Sequence, residues 1–193
     1  MSIFDLETER LIIREYQRDD LEDRRRQDAE IYENQTDEES AKSWLEWTIS
    51  TYRELATLYQ PPYGDYAVTL KSSGELIGSV GLVHSIIPWG VFDPATPVQL
   101  RNLVSPEFGL YWAILPSMQG QGYATEAAAA FVDAIFENLG ARCVVATTDY
   151  DNQPSQKVME KLGMLVQSNP HDDPFWLQVV GKIEHPLVRA HSS

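Results

Sequence analysis

Gln119-Gly120-Gln121-Gly122-Tyr123-Ala124-Thr125 is the stretch on which the reading of this 193-residue chain turns. An apolar run, Phe108 to Leu115, precedes it and has the look of a strand. Behind it Ala127-Ala128-Ala129-Ala130 sits in a helical pattern from Ala124 to Leu139, which Gly140 ends. A turn that passes from a strand into a helix N-terminus gathers several backbone N–H groups, and the positive end of the helix dipole, around one point. Gly120 and Gly122 take away the Cβ atoms that would hold a phosphate off the backbone. The stretch therefore reads as a cradle for a diphosphate bound without metal. Other phosphate motifs fit poorly. No Gly-Lys-Ser/Thr is present, and in a dinucleotide fingerprint starting at Gly120 the third glycine position holds Thr125.

Working outward, Leu11-Ile12-Ile13 reads as a first strand, followed by an acidic helix near Asp19 to Tyr32. A second helix is capped by Thr36 or Asp37 and carries Trp44, Leu45, Ile49, Tyr52, Leu55 and Leu58 at helical spacing. Past Pro61-Pro62-Tyr63-Gly64, the runs Tyr66–Leu70 and Leu76–Val83 flank Ser72-Ser73-Gly74 as a hairpin. From Ile86 to Ser105 the chain is broken by Pro88, Pro94 and Pro97 yet remains apolar. It reads as a packed loop, either on the substrate side or as a structural or dimer-contact excursion. Downstream lie a buried strand from Arg142 to Thr148 and a short helix with Asn152 as cap, Pro154 in its first turn and Gly163 beyond its end. Leu165-Val166 and Phe175 to Val180 read as closing strands. The order gives an α/β fold with a mixed sheet, in one domain spanning residues 1–193.

Composition narrows the function classes. A net charge of −14 argues against a nucleic-acid partner, whose phosphates need clustered Lys and Arg, and suits a cationic one. Arg24-Arg25-Arg26 lies among Asp19, Asp20, Glu22, Asp23 and Asp28, so it reads as a salt-bridged helix face. With no long apolar run and no signal-like N-terminus, the expectation is a cytoplasmic protein without membrane contact. The single cysteine, Cys143, reads as a buried core thiol. His84, His171, His185 and His191 share no metal-ligand spacing with nearby carboxylates, so no metal is expected.

Three segments together resemble one family. Leu110 to Met164 resembles the core of the GNAT N-acetyltransferases, whose pyrophosphate loop Arg/Gln-x-x-Gly-x-Gly/Ala is matched by Gln119, Gly122 and Ala124. Asn152-Gln153-Pro154-Ser155 with Val158-Met159-Glu160-Lys161-Leu162-Gly163-Met164 resembles a block of the branch that acetylates ribosomal-protein N-termini at alanine or serine, and so does the opening Glu7 to Arg14. The resemblance implies a mostly antiparallel twisted sheet of about seven strands with about four flanking helices. It also implies a central parallel pair, Tyr111 to Leu115 and Val144 to Thr148, splayed to admit acetyl-CoA. Unpaired backbone at Ala113, Ile114 and Leu115 would hold the pantetheine arm as an added strand, one N–H acting on the thioester oxygen. Gln119, Gly120, Gln121, Gly122, Tyr123, Ala124, Thr125, Asn152 and Ser155 complete the expected donor site.

The implied reaction is direct attack by a primary amine in a ternary complex. The acceptor is a protein N-terminus or a small amine, an antibiotic or polyamine being the alternative, and the chain a monomer or homodimer. Many relatives place a tyrosine acid where Met159 stands here, which leaves the Ser155 hydroxyl for the departing thiolate, or else a non-catalytic acyl-CoA sensor. Ser155 also reads simply as the first turn of a helix capped by Asn152. Glu107, at the start of the central strand, is the carboxylate the resemblance offers as base, with His84 as an alternative and solvation as its plain role.

Overall fold

The computed structural model describes residues 3–34 and 36–191. Among these residues eight strands, β1 (Leu6–Glu7), β2 (Leu11–Glu15), β3 (Gly64–Leu70), β4 (Leu76–Ile87), β5 (Ser105–Ile114), β6 (Cys143–Thr148), β7 (Leu165–Ser168) and β8 (Val179–Glu184), are hydrogen-bonded in the order β1-β2-β3-β4-β5-β6-β8-β7. The β5–β6 pair is parallel, and the β1–β2, β2–β3, β3–β4, β6–β8 and β7–β8 pairs are antiparallel. The strand beyond the expected seven is β1, only Leu6–Glu7, against β2 (Leu11–Glu15). The chain forms two compact units, residues 1–82 with 111–139, and residues 83–110 with 140–193.

In the first unit, β2 pairs with β3 (Gly64–Leu70), which pairs in turn with β4 (Leu76–Ile87) across the Ser72-Ser73-Gly74 turn. The acidic helix begins late. Asp20 accepts from the Gln17 amide and the Arg14 guanidinium, so residues 18–20 form a tight turn before α1 (Leu21–Ile31). Asp37 is the cap of α2 (Glu38–Thr57), accepting from the Ser40 amide at 2.8 Å. Phe4, Tyr66 and Phe131 fill the core on one side, Phe4 and Phe131 stacking at 4.0 Å. Tyr16, Leu45, Ala67 and Leu76 fill it elsewhere. The arginine run is laced with carboxylates, but Arg24 and Asp28 are buried, Arg24 lying over the Trp44 ring at 3.8 Å. One side of that face is thus interior ion pairing.

In the second unit, β5 (Ser105–Ile114) meets β6 (Cys143–Thr148) in parallel at Phe108↔Val144 and Gly109↔Val145. β8 (Val179–Glu184) joins β6 to β7 (Leu165–Ser168). Phe175 to Leu177 stays out of the expected closing strand because a turn consumes its backbone. Leu177 N–H donates to Pro174 and its carbonyl accepts the Asn169 amide. Val91, from the proline-broken stretch, is buried with Ile87, Val145, Leu177 and Val180, and Trp89 and Phe92 pack against them. Helix α4 (Gln153–Lys161) follows the Asn152 cap, and α5 (Pro186–His191) is short.

Candidate functional site

β5 ends at Ile114, a tight turn spans Pro116–Met118, and α3 (Tyr123–Leu139) starts after two glycines with φ +74° at Gly120 and +86° at Gly122. Both angles lie where side chains with a Cβ are strained, so the turn requires glycine at these places. The amides of Gly120, Gln121 and Gly122 donate to no protein acceptor among the described residues. Those of the first turn of α3 have no acceptor within the helix. Gly120, Gln121 and Gly122 are exposed, while Tyr123, Ala124 and Thr125 are half-buried. The turn therefore presents a run of open N–H donors at a helix N-terminus.

Two ties hold this turn. The Gln119 side-chain amide donates to the Ile114 carbonyl at 2.9 Å, fastening the loop to the strand it leaves. Arg10, the residue before β2, is the second. Its Nη1 donates to the Gln121 carbonyl at 3.0 Å, its guanidinium pairs with Glu126 at 2.6 Å, and the same group lies over the Tyr123 ring at 4.4 Å. Glu126 also accepts the Arg10 amide and the Thr8 hydroxyl. Burial pushes the Glu126 carboxyl up, but these donors outweigh it and hold the group below its ordinary range. Sequence reasoning missed this brace. Thr8 and Arg10 lie in a segment singled out for its resemblance, yet nothing in their spacing points to a partner 116 residues away.

Of Ala113, Ile114 and Leu115, the structure commits the Leu115 amide to the Ile77 carbonyl at 2.9 Å. Amides alternate sides along a strand, so the Ile114 N–H points away from β4. In the second unit Asn152 and Ser155 come together as a cap, Asn152 Oδ1 accepting the Ser155 amide at 3.1 Å. The Ser155 hydroxyl makes no hydrogen bond among the described residues. Met159 is wholly buried, its sulfur 3.0 Å from where a Cβ of Gly181 would sit. Glu107 accepts from the Trp89 indole at 2.7 Å and from the Cys143 thiol at 3.1 Å, so both its oxygens are engaged. Cys143 is half-buried and hydrogen-bonded, not sealed in the core. Burial and the Glu107 carboxylate push its thiol up to about 12. His84 is exposed on β4.

Among the described residues no group of His, Cys, Asp and Glu is arranged to hold a metal, and no helix is long and apolar enough to cross a membrane.

An N-acetyltransferase of Bacillus subtilis (strain 168), YnaD, itself uncharacterized, is 27% identical over 161 residues, 81% of this chain and 80% of that protein. The crystal structure of an acetyltransferase from Agrobacterium tumefaciens str. C58 superposes with a TM-score of 0.65 at 25% identity, covering 95% of this chain and 96% of that one. A ribosomal-protein-S5-alanine acetyltransferase from Vibrio fischeri shares the fold, with a TM-score of 0.65 at 15% identity over 94% and 96% of the two chains. Residues 10–165 match the family model described as the acetyltransferase (GNAT) domain, and the chain belongs to that family, the N-acetyltransferases that use acetyl-CoA as donor.

Proposed function

We propose that residues 1–193 act as one acetyltransferase domain, moving the acetyl group of acetyl-CoA to a primary amine by direct attack in a ternary complex. A protein N-terminus or a small amine is the acceptor. The carrying observation is the turn from Gln119 to Thr125, whose open amides and positive-φ glycines suit the pyrophosphate of CoA. In this reading the pantetheine arm runs along Ala113, Ile114 and Leu115, and the Ile114 N–H is the amide left to polarise the thioester carbonyl, since Leu115 is taken. Asn152 caps α4 ahead of Ser155, whose hydroxyl is unengaged and is the candidate proton donor to the thiolate. The net charge of −14 favours cationic acceptors, which peptide N-termini, polyamines and aminoglycosides all are.

The test is thiol release from acetyl-CoA with peptides of varied N-terminal residue, polyamines and aminoglycosides. Turnover above background with one of these classes is expected. Background rates throughout, with acetyl-CoA still bound, would mark a non-catalytic binder. That outcome draws support from the buried Met159 standing where many relatives carry a tyrosine acid. For the cradle, Gly122→Val is expected to weaken acetyl-CoA binding about tenfold or more by calorimetry, because a β-branched residue resists the +86° backbone. Full affinity in that variant would refute the cradle.

A further inference from the structure

Asp65 follows Pro61-Pro62-Tyr63-Gly64 as the second residue of β3, apart from the glycine turn and its braces. Its backbone carbonyl accepts the Tyr52 hydroxyl. Its carboxylate has neither a hydrogen bond nor an ion pair among the described residues, although the residue is mostly buried. Asp65 is the register partner of Gly81 on β4. A Cβ at Gly81 would lie 2.8 Å from the Gly64 carbonyl, 2.9 Å from Cδ1 of Tyr111 and 3.1 Å from Asp65 Oδ1, so carboxylate and ring close together over the bare glycine. The Tyr111 hydroxyl shares hydrogen bonds with Ser79 at 2.5 Å and Tyr32 at 3.0 Å. The groups acting on this place are Arg24 from α1, Tyr16 just after β2, Tyr32 beyond α1, Tyr52 from α2 and Tyr111 from β5. Arg24, the cation among them, is committed to Asp28. A mostly buried carboxylate with no ion pair of its own, set among tyrosines, favours a cation beside it.

Tyr111 lies two residues before Ala113 on β5, about 7 Å by strand rise, so this carboxylate sits within an acceptor's reach of the segment assigned to the pantetheine. Glu107, by contrast, has both oxygens occupied. We propose that Asp65 is the acceptor-amine subsite: its carboxylate pairs with the ammonium group of the acceptor and takes the proton that must leave before nitrogen attacks. The inference rests on the acetyl-transfer reading above. One proton passes from R–NH3+ to Asp65, and the freed lone pair of nitrogen attacks the thioester carbonyl carbon. The C–S bond then breaks with its electron pair on sulfur, and a second nitrogen proton neutralises the thiolate. Asp65 returns its proton to water, so the products are the acetamide, CoA thiol and one proton. Burial pushes the Asp65 carboxyl up to about 6 against the opposing Arg24 charge, which brings it nearer an amine than an exposed aspartate would be.

The test has two arms. In the first, protein labelled with 13C at aspartate carboxyls is titrated by NMR, with Asp65→Asn assigning the resonance. Butylammonium chloride is expected to lower the Asp65 midpoint by about half a unit or more relative to potassium chloride at equal ionic strength. An unmoved midpoint overturns the subsite. In the second, kinetics use the amine turned over best in the acceptor panel. Asp65→Asn is expected to lose about 100-fold in kcat/KM for that amine at neutral pH, recovering as pH rises and the free amine deprotonates. Its affinity for acetyl-CoA should stay within about twofold, and Asp65→Glu should restore part of the rate. Undiminished turnover in Asp65→Asn, or a loss that is the same at every pH, overturns the proton-accepting role. Should the wild type acetylate nothing while binding acetyl-CoA, the parent reading falls, and the butylammonium titration still decides for or against the subsite.

Discussion

Arg10 shows how much one side chain does for the donor loop. Its guanidinium spans three anchors, the Gln121 carbonyl, the Glu126 carboxylate and the Tyr123 face, and so fixes the loop that presents the open amides. Arg10 is largely exposed, so each of these contacts contributes up to about 1 kcal/mol, and the three act together. Arg10→Ala is therefore expected to raise the KM for acetyl-CoA about tenfold while leaving kcat nearly unchanged. Steady-state kinetics check this, and a fall in kcat at constant KM would show that Arg10 acts elsewhere. Cys143 makes a contrasting case. With its thiol pushed up to about 12 by burial and the Glu107 carboxylate, it carries almost no thiolate at neutral pH. A disulfide-exchange reagent should leave it unmodified in the native protein and label it once the chain is denatured. Rapid labelling of native protein would contradict the Glu107 contact.

At the scale of elements, the helix ends were the most legible part of the sequence. Asp37, Asn152, Gly140 and Gly163 stand where the caps and left-handed exits of α2, α3 and α4 are found, because capping depends on a few adjacent residues and little else. Asn152→Ala is accordingly expected to cost about 1 kcal/mol of stability, read as a lowered denaturant midpoint at constant slope. Strand ends were less legible. The apolar run Phe175 to Val180 has the composition of a strand, but Asn169 and Pro174 draw its first half into a turn. Pairings across long separations were not legible at all. Glu126 is an ordinary first-turn acid until Arg10 is seen beside it, and Asp65 follows a proline turn as though part of it. The glycine turn could be read because its function lies in the backbone of consecutive residues. The brace and the lone carboxylate depend on what the fold brings next to them.

For the molecule as a whole, pH should act on stability in two opposing ways. Asp65 has its folded carboxyl raised from 3.8 to about 6 by burial, so folding favours its protonated form. The stability this contributes is fully present below pH 3.8 and is lost as pH rises through about 6. Self-repulsion in a chain of net charge −14 works in the same direction, since protonation relieves it. Glu126, Asp37, Glu46 and Glu184 are all held below their ordinary values by hydrogen-bond donors or basic partners. Their contribution is present above the unfolded carboxylate range and disappears as pH falls through their folded values. The two sets place maximum stability at about pH 5, between the opposing titrations. Thermal unfolding across pH should show a wild-type Tm higher near pH 5 than near pH 7.5. Asp65→Asn is isosteric and carries no charge to bury, so it should raise stability at pH 7.5 by about 2 kcal/mol, discounted for partial solvation, and leave it nearly unchanged at pH 4. The slope that remains in the variant measures the net-charge repulsion, which added salt should flatten. Parallel Tm curves for the two proteins would mean that the carboxylate is solvated or paired in solution, and would remove the electrostatic basis for its binding an amine.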